Sequence, residues 1–236
     1  MKVFDLKDYL SGNPYPGRGV LLGRSADDKK AIIGYFIMGR SVNSRNRVFT
    51  ATEDGIKTEA FDPSKMEDPS LIIYHPVRVY EGSTIVTNGD QTDTIRDSLA
   101  EGHCFRHALM GRTFEPDGPN YTPRISGIVS AEGDYKLSIL KSLNGDPSCA
   151  CRYFFEYDAP KAGLGHIIHT YEGDGDPLPS FEGEPKPVAL EAASASELAD
   201  LLWNALNEEN KVSLYVSYID LATGESDIVI INKHQS

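Results

Sequence analysis

An α+β fold built on two mainly antiparallel sheets is what the sequence predicts, on three observations. Apolar runs of about seven to nine residues recur along the chain, separated by short Gly, Asp, Asn and Pro clusters, as strands joined by tight turns require. Helical signals are few and grouped, one stretch near residues 93–113 and one amphipathic repeat near residue 200. Strands and helices do not alternate, so stacked sheets covered by helices fit better than a Rossmann-type parallel sheet.

Taken in order, residues 1–14 read as an N-terminal extension, because the φ-constrained loop Asn13-Pro14-Tyr15-Pro16-Gly17 separates them from the first strand, and residues 15–236 read as one domain. Arg18 to Arg24 and Ala31 to Gly39 form a hairpin about the polar Ser25 to Lys30 turn. Antiparallel pairing then sets Arg18 beside Arg40. Val48 to Phe61 is a second hairpin about Asp54-Gly55, whose residues supply positive φ. Leu71 to Tyr80 and Thr84 to Thr87 follow as strands, and the Asn88-Gly89-Asp90-Gln91 turn feeds a helix capped near Thr92 to Thr94. Gly102 divides that helical region into Asp93 to Glu101 and His103 to Thr113. Four more strands are expected at Arg124 to Ala131, Tyr135 to Leu143, Cys149 to Tyr157 and Leu164 to Tyr171. Glu172 to Pro187 is a loop. Ser194-Ala-Ser-Glu197 is a capping box, and Leu198, Leu201, Leu202, Ala205 and Leu206 lie on one helical face. Val212 to Leu221 and Asp227 to Asn232 close the chain as a hairpin.

At 236 residues and 40% hydrophobic content the chain buries a substantial core, which excludes a disordered protein. A net charge of −12 opposes nucleic acid and anionic membrane as partners. The charge is uneven: Tyr15 to Arg47 holds seven Lys/Arg against two Asp/Glu, whereas Asp146 to Glu209 holds three against thirteen. One small basic site on an acidic body suits a small anionic ligand. No secretory signal opens the chain and no apolar run reaches membrane-spanning length, so a cytoplasmic protein is expected. Three cysteines without repeated spacing fit reduced thiols, and Cys149-Ala-Cys151 lacks a second pair for a metal. His103 and His107, four apart on the expected helix, lack a third ligand. His166 and His169 would point to opposite faces of a strand.

The densest recognition chemistry is in Gly39 to Arg47, where Arg40, Arg45 and Arg47 sit among Ser41, Asn43, Ser44 and Asn46. Guanidinium forks match phosphate, and small amides and hydroxyls read sugar or base edges. Glu115 lies in a proline-flanked loop, where it is a capping acid or an acid/base. Its pKa depends on whether burial or arginine dominates. Tyr74, as a bare sequence feature, is an ordinary strand tyrosine.

Several of these pieces, in this order, resemble the archaeal-type inosine monophosphate (IMP) cyclohydrolases: Tyr15-x-Gly17-Arg18, Arg40-Ser41-x-x-Ser44-Arg45 with Asn46-Arg47, Val86-Thr87-Asn88-Gly89-x-x-Thr92-Asp93-Thr94, and Phe114-Glu115 followed by Thr122-Pro123-Arg124-Ile125. They span about residues 15 to 130. The resemblance implies a four-layer α-β-β-α sandwich similar to the N-terminal nucleophile hydrolases. Their chemistry is not implied, because Met1-Lys2-Val3 offers no Cys, Ser or Thr nucleophile and Tyr15 stands where the mature chain would begin. The family begins almost at the Tyr-x-Gly-Arg motif, so the 14 preceding residues would cover the site, form a homo-oligomer contact or accompany a changed substrate. The activity implied is closure of the purine ring of 5-formamidoimidazole-4-carboxamide ribonucleotide, with loss of water, in purine biosynthesis. It needs neither metal nor organic cofactor, and its partner is a purine ribonucleotide. Glu115, Tyr74 and Arg40 would serve the chemistry, and Arg18, Ser41, Arg45, Arg47, Asn88, Gly89, Thr92, Asp93 and Arg124 the substrate. A nucleotide binder without turnover and an amide hydrolase on the same core are the alternatives.

Overall fold

Why the chain forms two sheets is visible in the alternation of its strands, which a computed structural model describes for residues 2–66 and 68–234. Met1, Glu67 and residues 235–236, the last of which end the expected domain, lie outside the described residues. Strands β1 (Arg18–Arg24) and β2 (Lys30–Met38) pair antiparallel, with Arg18 opposite Ile37. Strands β3 (Arg47–Thr52), β4 (Gly55–Ala60), β5 (Val77–Tyr80), β6 (Ser83–Thr87), β7 (Arg124–Val129), β8 (Tyr135–Leu143) and β9 (Asp146–Tyr157) form a seven-stranded meander in sequence order. Strands β10 (Leu164–His169), β11 (Lys186–Ala189), β12 (Lys211–Asp220) and β13 (Ser226–Asn232) complete the other sheet in the order β11-β10-β1-β2-β12-β13. The strand pairs of both sheets are antiparallel.

Side-chain alternation sorts the apolar residues into three cores. Val20, Leu22, Ile33 and Tyr35 of one sheet meet Phe49, Val77, Leu137 and Ile139 of the other. On the opposite face of β1 and β2, Leu21, Ile32 and Phe36 pack with α1 (Leu6–Ser11) and α5 (Ala195–Ala205). Ile85, Ile128 and Leu140 pack with α3 (Gln91–Ala100) and α4 (Phe105–Met110), which follow the four-residue helix α2 (Val42–Arg45). The capping box of α5 is made reciprocally, Ser194 accepting from the Glu197 N–H and Glu197 from the Ala193 N–H. Among the described residues no helix is long and apolar enough to cross a membrane.

Four expectations need correction. Only Val77–Tyr80 of the expected Leu71 to Tyr80 strand is extended. Pro69 accepts the N–H groups of Ile72 and Ile73 as a turn, Pro76 has no N–H, and Thr58 takes the Ile72 and Tyr74 carbonyls instead. The first helix begins at Gln91, two residues early, with no side-chain cap on Asp90. Asp93 therefore does not cap it and instead pairs with Arg78 at 2.9 Å. The second helix is only Phe105–Met110 rather than His103 to Thr113. Within the expected loop Glu172 to Pro187, Lys186 and Pro187 begin strand β11, where Pro187 is tolerated at a sheet edge and Phe4 bonds to its carbonyl.

Residues before Tyr15 are part of the core packing: Leu6 and Leu10 are buried, and Tyr9 reaches His169. That histidine is fixed as a neutral tautomer. Its Nδ1 must donate to the Tyr171 carbonyl (2.9 Å), so Nε2 accepts from the Tyr9 hydroxyl (2.6 Å). His166, on the other face, bonds Tyr135 and stacks on Tyr157. Burial holds His169 at about 3 and His166 at about 4, against an ordinary 6.5. The unfolded chain takes up these protons below pH 6.5 and the folded chain does not, so stability falls as pH drops from 6.5 towards these values, by about 1.4 kcal/mol per pH unit for each histidine. Chemical denaturation from pH 7 to 4 should show this slope, and His169→Gln should make it shallower by about that amount. An unchanged slope would mean that the folded protein protonates His169.

Candidate active site

Five chain segments deliver ionisable or hydroxyl-bearing side chains to one end of the space between the sheets. Arg18 enters from the start of β1, on the face that carries Val20 and Leu22. The turn before it depends on Gly17, whose φ of +75° favours glycine and whose added Cβ would lie 2.2 Å from Thr170 Oγ1. Tyr35 comes from the middle of β2 and Arg47 from the first residue of β3. Tyr74 is held by both backbone groups on Thr58, its N–H donating to Thr58 Oγ1 at 2.8 Å and its carbonyl accepting the Thr58 N–H at 2.9 Å. Glu115 follows α4, its N–H bonded to the Thr122 carbonyl.

At the centre, Arg18 Nη2 donates to both carboxylate oxygens of Glu115, each at 2.8 Å. Glu115 is 2% exposed. Burial pushes its carboxyl above the ordinary range while the Arg18 charge pulls it back. For Arg18 burial works against the charge, but Glu115 and the nearby tyrosine oxygens prevail and hold the guanidinium firmly protonated. Asn88 supports the carboxylate at 3.5 Å and anchors itself on the Pro123 carbonyl and the Ile125 N–H. The hydroxyls of Tyr35 and Tyr74 lie 2.8 Å apart.

Arg47 is also 2% exposed, yet it bonds only backbone carbonyls, Ser44 at 2.8 Å and Met38 at 3.3 Å. Among the described residues no carboxylate pairs with it. Burial lowers its pKa, from a starting value so high that it stays a cation. Two buried guanidiniums against one buried carboxylate leave an excess positive charge in a low-dielectric space. Such a centre can bind an anion or stabilise one that forms during a reaction.

The rim carries Arg40. Its guanidinium lies 5.2 Å from the Tyr15 ring and pairs with Asp174, and Tyr15 stacks on Tyr171 at 5.9 Å. Tyr171 in turn bonds Thr122, which also bonds Asp117. Burial raises Tyr171 to about 12.

The other sequence candidates are arranged around this centre in structural roles. Ser41 caps α2, and Arg45 staples the Gly39 carbonyl to Asn210. The Asn88 and Gly89 N–H groups are engaged by the Ile125 carbonyl and Thr87 Oγ1, so this turn does not present free donors. Thr92 is buried against Thr87. Gly89 leaves room for Arg124, since an added Cβ would lie 2.6 Å from its Nη1. Arg124 bonds Asp90 and Gln91 and contributes positive charge near Glu115. Asp93 forms an ion pair with Arg78 and lies 3.6 Å from His75, away from the cluster's hydrogen bonds. Sequence reasoning missed Tyr35, Tyr171 and Asp174. A lone tyrosine in the aliphatic run of β2 was a signal for the first, but nothing local marked the other two.

A surface cleft lies elsewhere, between β3 and β13, and its carboxylate Glu59 is already held by Lys57 and Thr50. Among the described residues no group of three or more His, Cys, Asp or Glu side chains could hold a metal ion. His103 and His107 lie against each other on the surface, their ring centroids 4.1 Å apart and the rings tilted by 49°.

The family sequence model described as IMP cyclohydrolase-like protein matches residues 15–225. Among curated proteins, the IMP cyclohydrolase of Methanothrix thermoacetophila is 31% identical over 193 residues, covering 80% of this chain and 85% of the relative. That of Methanopyrus kandleri is 29% identical over 189 residues, covering 71% and 89%, and that of Methanosphaera stadtmanae is 25% identical over 195 residues, covering 80% and 85%.

The pairing of Arg18 with Glu115 has a measurable consequence. Arg18→Met strands a buried carboxylate and should destabilise the protein by about 3–5 kcal/mol in denaturant unfolding. Arg18→Met/Glu115→Gln should recover most of that loss. A double variant no more stable than the single one would show that the pair is not coupled.

Proposed function

Because the chain belongs to the IMP cyclohydrolase-like family, we propose that it closes the purine ring of 5-formamidoimidazole-4-carboxamide ribonucleotide to give IMP and water. The observation that carries the reading is the buried Arg18–Glu115 pair beside the unpaired cation Arg47 and the Tyr35–Tyr74 hydroxyls. Nucleophile and electrophile are in one molecule, so the site's tasks are to hold a reactive conformation, move protons and stabilise an oxyanion.

In this reading Arg40, at the rim beside Tyr15, takes the 5′-phosphate and does not touch the reacting atoms. The carboxamide nitrogen adds to the formyl carbon, one C–N bond forms, and the carbonyl π pair moves to oxygen. Glu115 accepts the proton that this nitrogen sheds. Tyr74 donates to the developing oxyanion and Arg47 adds its charge. Glu115 then returns the proton to the oxygen, giving a hydroxyl, takes the hydrogen of the formamido nitrogen and passes it to that hydroxyl, which leaves as water as the C=N bond forms. A carboxyl raised by burial and restrained by Arg18 can hold a proton for that interval.

The three stacked cores support a four-layer α-β-β-α sandwich resembling the N-terminal nucleophile hydrolases. Residues 1–14 are an extension joined to a single domain, and the setting is cytoplasmic purine biosynthesis.

Turnover of the formamido substrate by the purified protein is the first test, and absence of IMP would overturn the reading. Glu115→Gln should lower kcat by about 10²–10⁴-fold with little change in IMP affinity. Near-parental kcat with weakened binding would move Glu115 from chemistry to ligand positioning. Arg40→Ala should raise KM by about tenfold or more, since a charge-assisted hydrogen bond contributes about 1.5–3 kcal/mol. An unchanged KM at low salt would place the phosphate elsewhere.

A further inference from the structure

We propose that Tyr35 is a positioning residue for this ring closure: it donates its hydroxyl hydrogen to the Tyr74 oxygen and thereby commits the Tyr74 hydrogen to the substrate's formyl oxygen. The inference rests on the functional reading above and deepens it. A separation of 2.8 Å between the two hydroxyl oxygens permits either direction of donation. Burial decides between them.

Tyr35 is 0% exposed, its ring stacked on Phe49 at 5.7 Å, and Tyr74 Oη is its hydroxyl's one hydrogen-bond partner among the described residues. Were Tyr74 the donor, the Tyr35 hydrogen would be sealed in the core without an acceptor, which a buried hydroxyl pays for heavily. With Tyr35 as donor its hydrogen is satisfied. The hydrogen left over is then that of Tyr74, which at 6% exposure is the less enclosed of the two. Both backbone groups of Tyr74 are pinned by Thr58, so its ring has a fixed origin.

The chemistry gains from this order. A chain running from Tyr35 to Tyr74 to the formyl oxygen strengthens as charge grows on that oxygen, because each donor polarises the next. Burial holds Tyr35 well above the ordinary range for a phenol, against the opposing pull of Arg18 and Arg47, so it remains a donor at neutral pH. Tyr74 is thus kept from turning its hydrogen inward, and no proton leaves either phenol during the reaction.

Tyr35→Phe removes one oxygen and keeps the ring against Phe49. We expect kcat to fall about tenfold with KM within about twofold, and Tyr74→Phe to fall about 10²-fold, the loss typical of a direct oxyanion donor. The double variant should be no slower than Tyr74→Phe alone, since Tyr35 acts through Tyr74. Independent losses that multiply, or a Tyr35→Phe effect confined to thermal stability, would overturn the proposal. Either of those results would sink the proposal while leaving the functional reading intact. A parent protein that forms no IMP would instead overturn the functional reading, and the positioning role with it.

Discussion

Two guanidiniums and one carboxylate enclosed between two sheets are the constraint on which the rest of the structure depends. Removing such charges from water is costly, and mutual attraction offsets the cost only where geometry is good and the remaining polar atoms are bonded. Arg18 and Glu115 meet the geometric part of that condition through two bonds of 2.8 Å, with Arg18 Nε left buried and unbonded among the described residues, and Arg47 is held by backbone carbonyls. The Ser44 carbonyl lies near the end of the four-residue α2, and Met38 lies where the pairing of β2 with β12 shifts register. The Gly39 to Arg47 segment therefore builds the lining of the site as well as its rim.

The residues before Tyr15 bear on the same constraint from behind. Tyr9 and the Tyr171 carbonyl lock His169, the last residue of β10, and Thr170 bonds Arg18's N–H and the Pro16 carbonyl. The strand that fixes the start of β1 is thus held by α1, whose Leu6 and Leu10 occupy the same core as α5. An alteration in the first helix would reach the buried arginine through packing and two backbone contacts, without any group of α1 lying among the site residues.

Most of the strands were legible because their alternation and turn residues are local properties. The hairpin about Asp54-Gly55 and the closing hairpin β12–β13 follow from such signals alone. What misled was the apolar run Leu71 to Tyr80: β-propensity marks residues that fit a pleated surface, and here Pro69 and Pro76 redirected the chain so that Thr58 took its hydrogen bonds. Arg18, Arg47, Tyr74 and Glu115 were legible as candidates, but not their division of labour. Arg45 and Arg47 are two residues apart in one motif, yet one staples a surface turn to Asn210 and the other is buried beside the two tyrosines. Only the start of β3 at Arg47 separates their fates, and no compositional feature reports that. Tyr171 and Asp174 join the site through contacts more than a hundred residues apart in sequence, which no local pattern encodes.

The rim explains how so acidic a chain can present a site for an anion. The chain as a whole carries −12, and its acidic stretch from Asp146 to Glu209 supplies the loop whose Asp174 pairs with Arg40. Both partners are substantially solvent-exposed, with side-chain exposures of 38% and 55%, and exposed pairs of this kind contribute little, about 0–1 kcal/mol. Asp174 thus places a carboxylate where, on the proposed reading, a phosphate would sit, at small energetic cost to displace. The deeper excess charge is not neutralised in this way, because among the described residues Arg47 bonds only backbone carbonyls. A dianionic ligand would exchange one weak surface pair for Arg40 and would meet a net positive interior beyond it. The net acidity of the rest of the chain opposes anions at long range, so charge favours such a ligand at this end of the inter-sheet space.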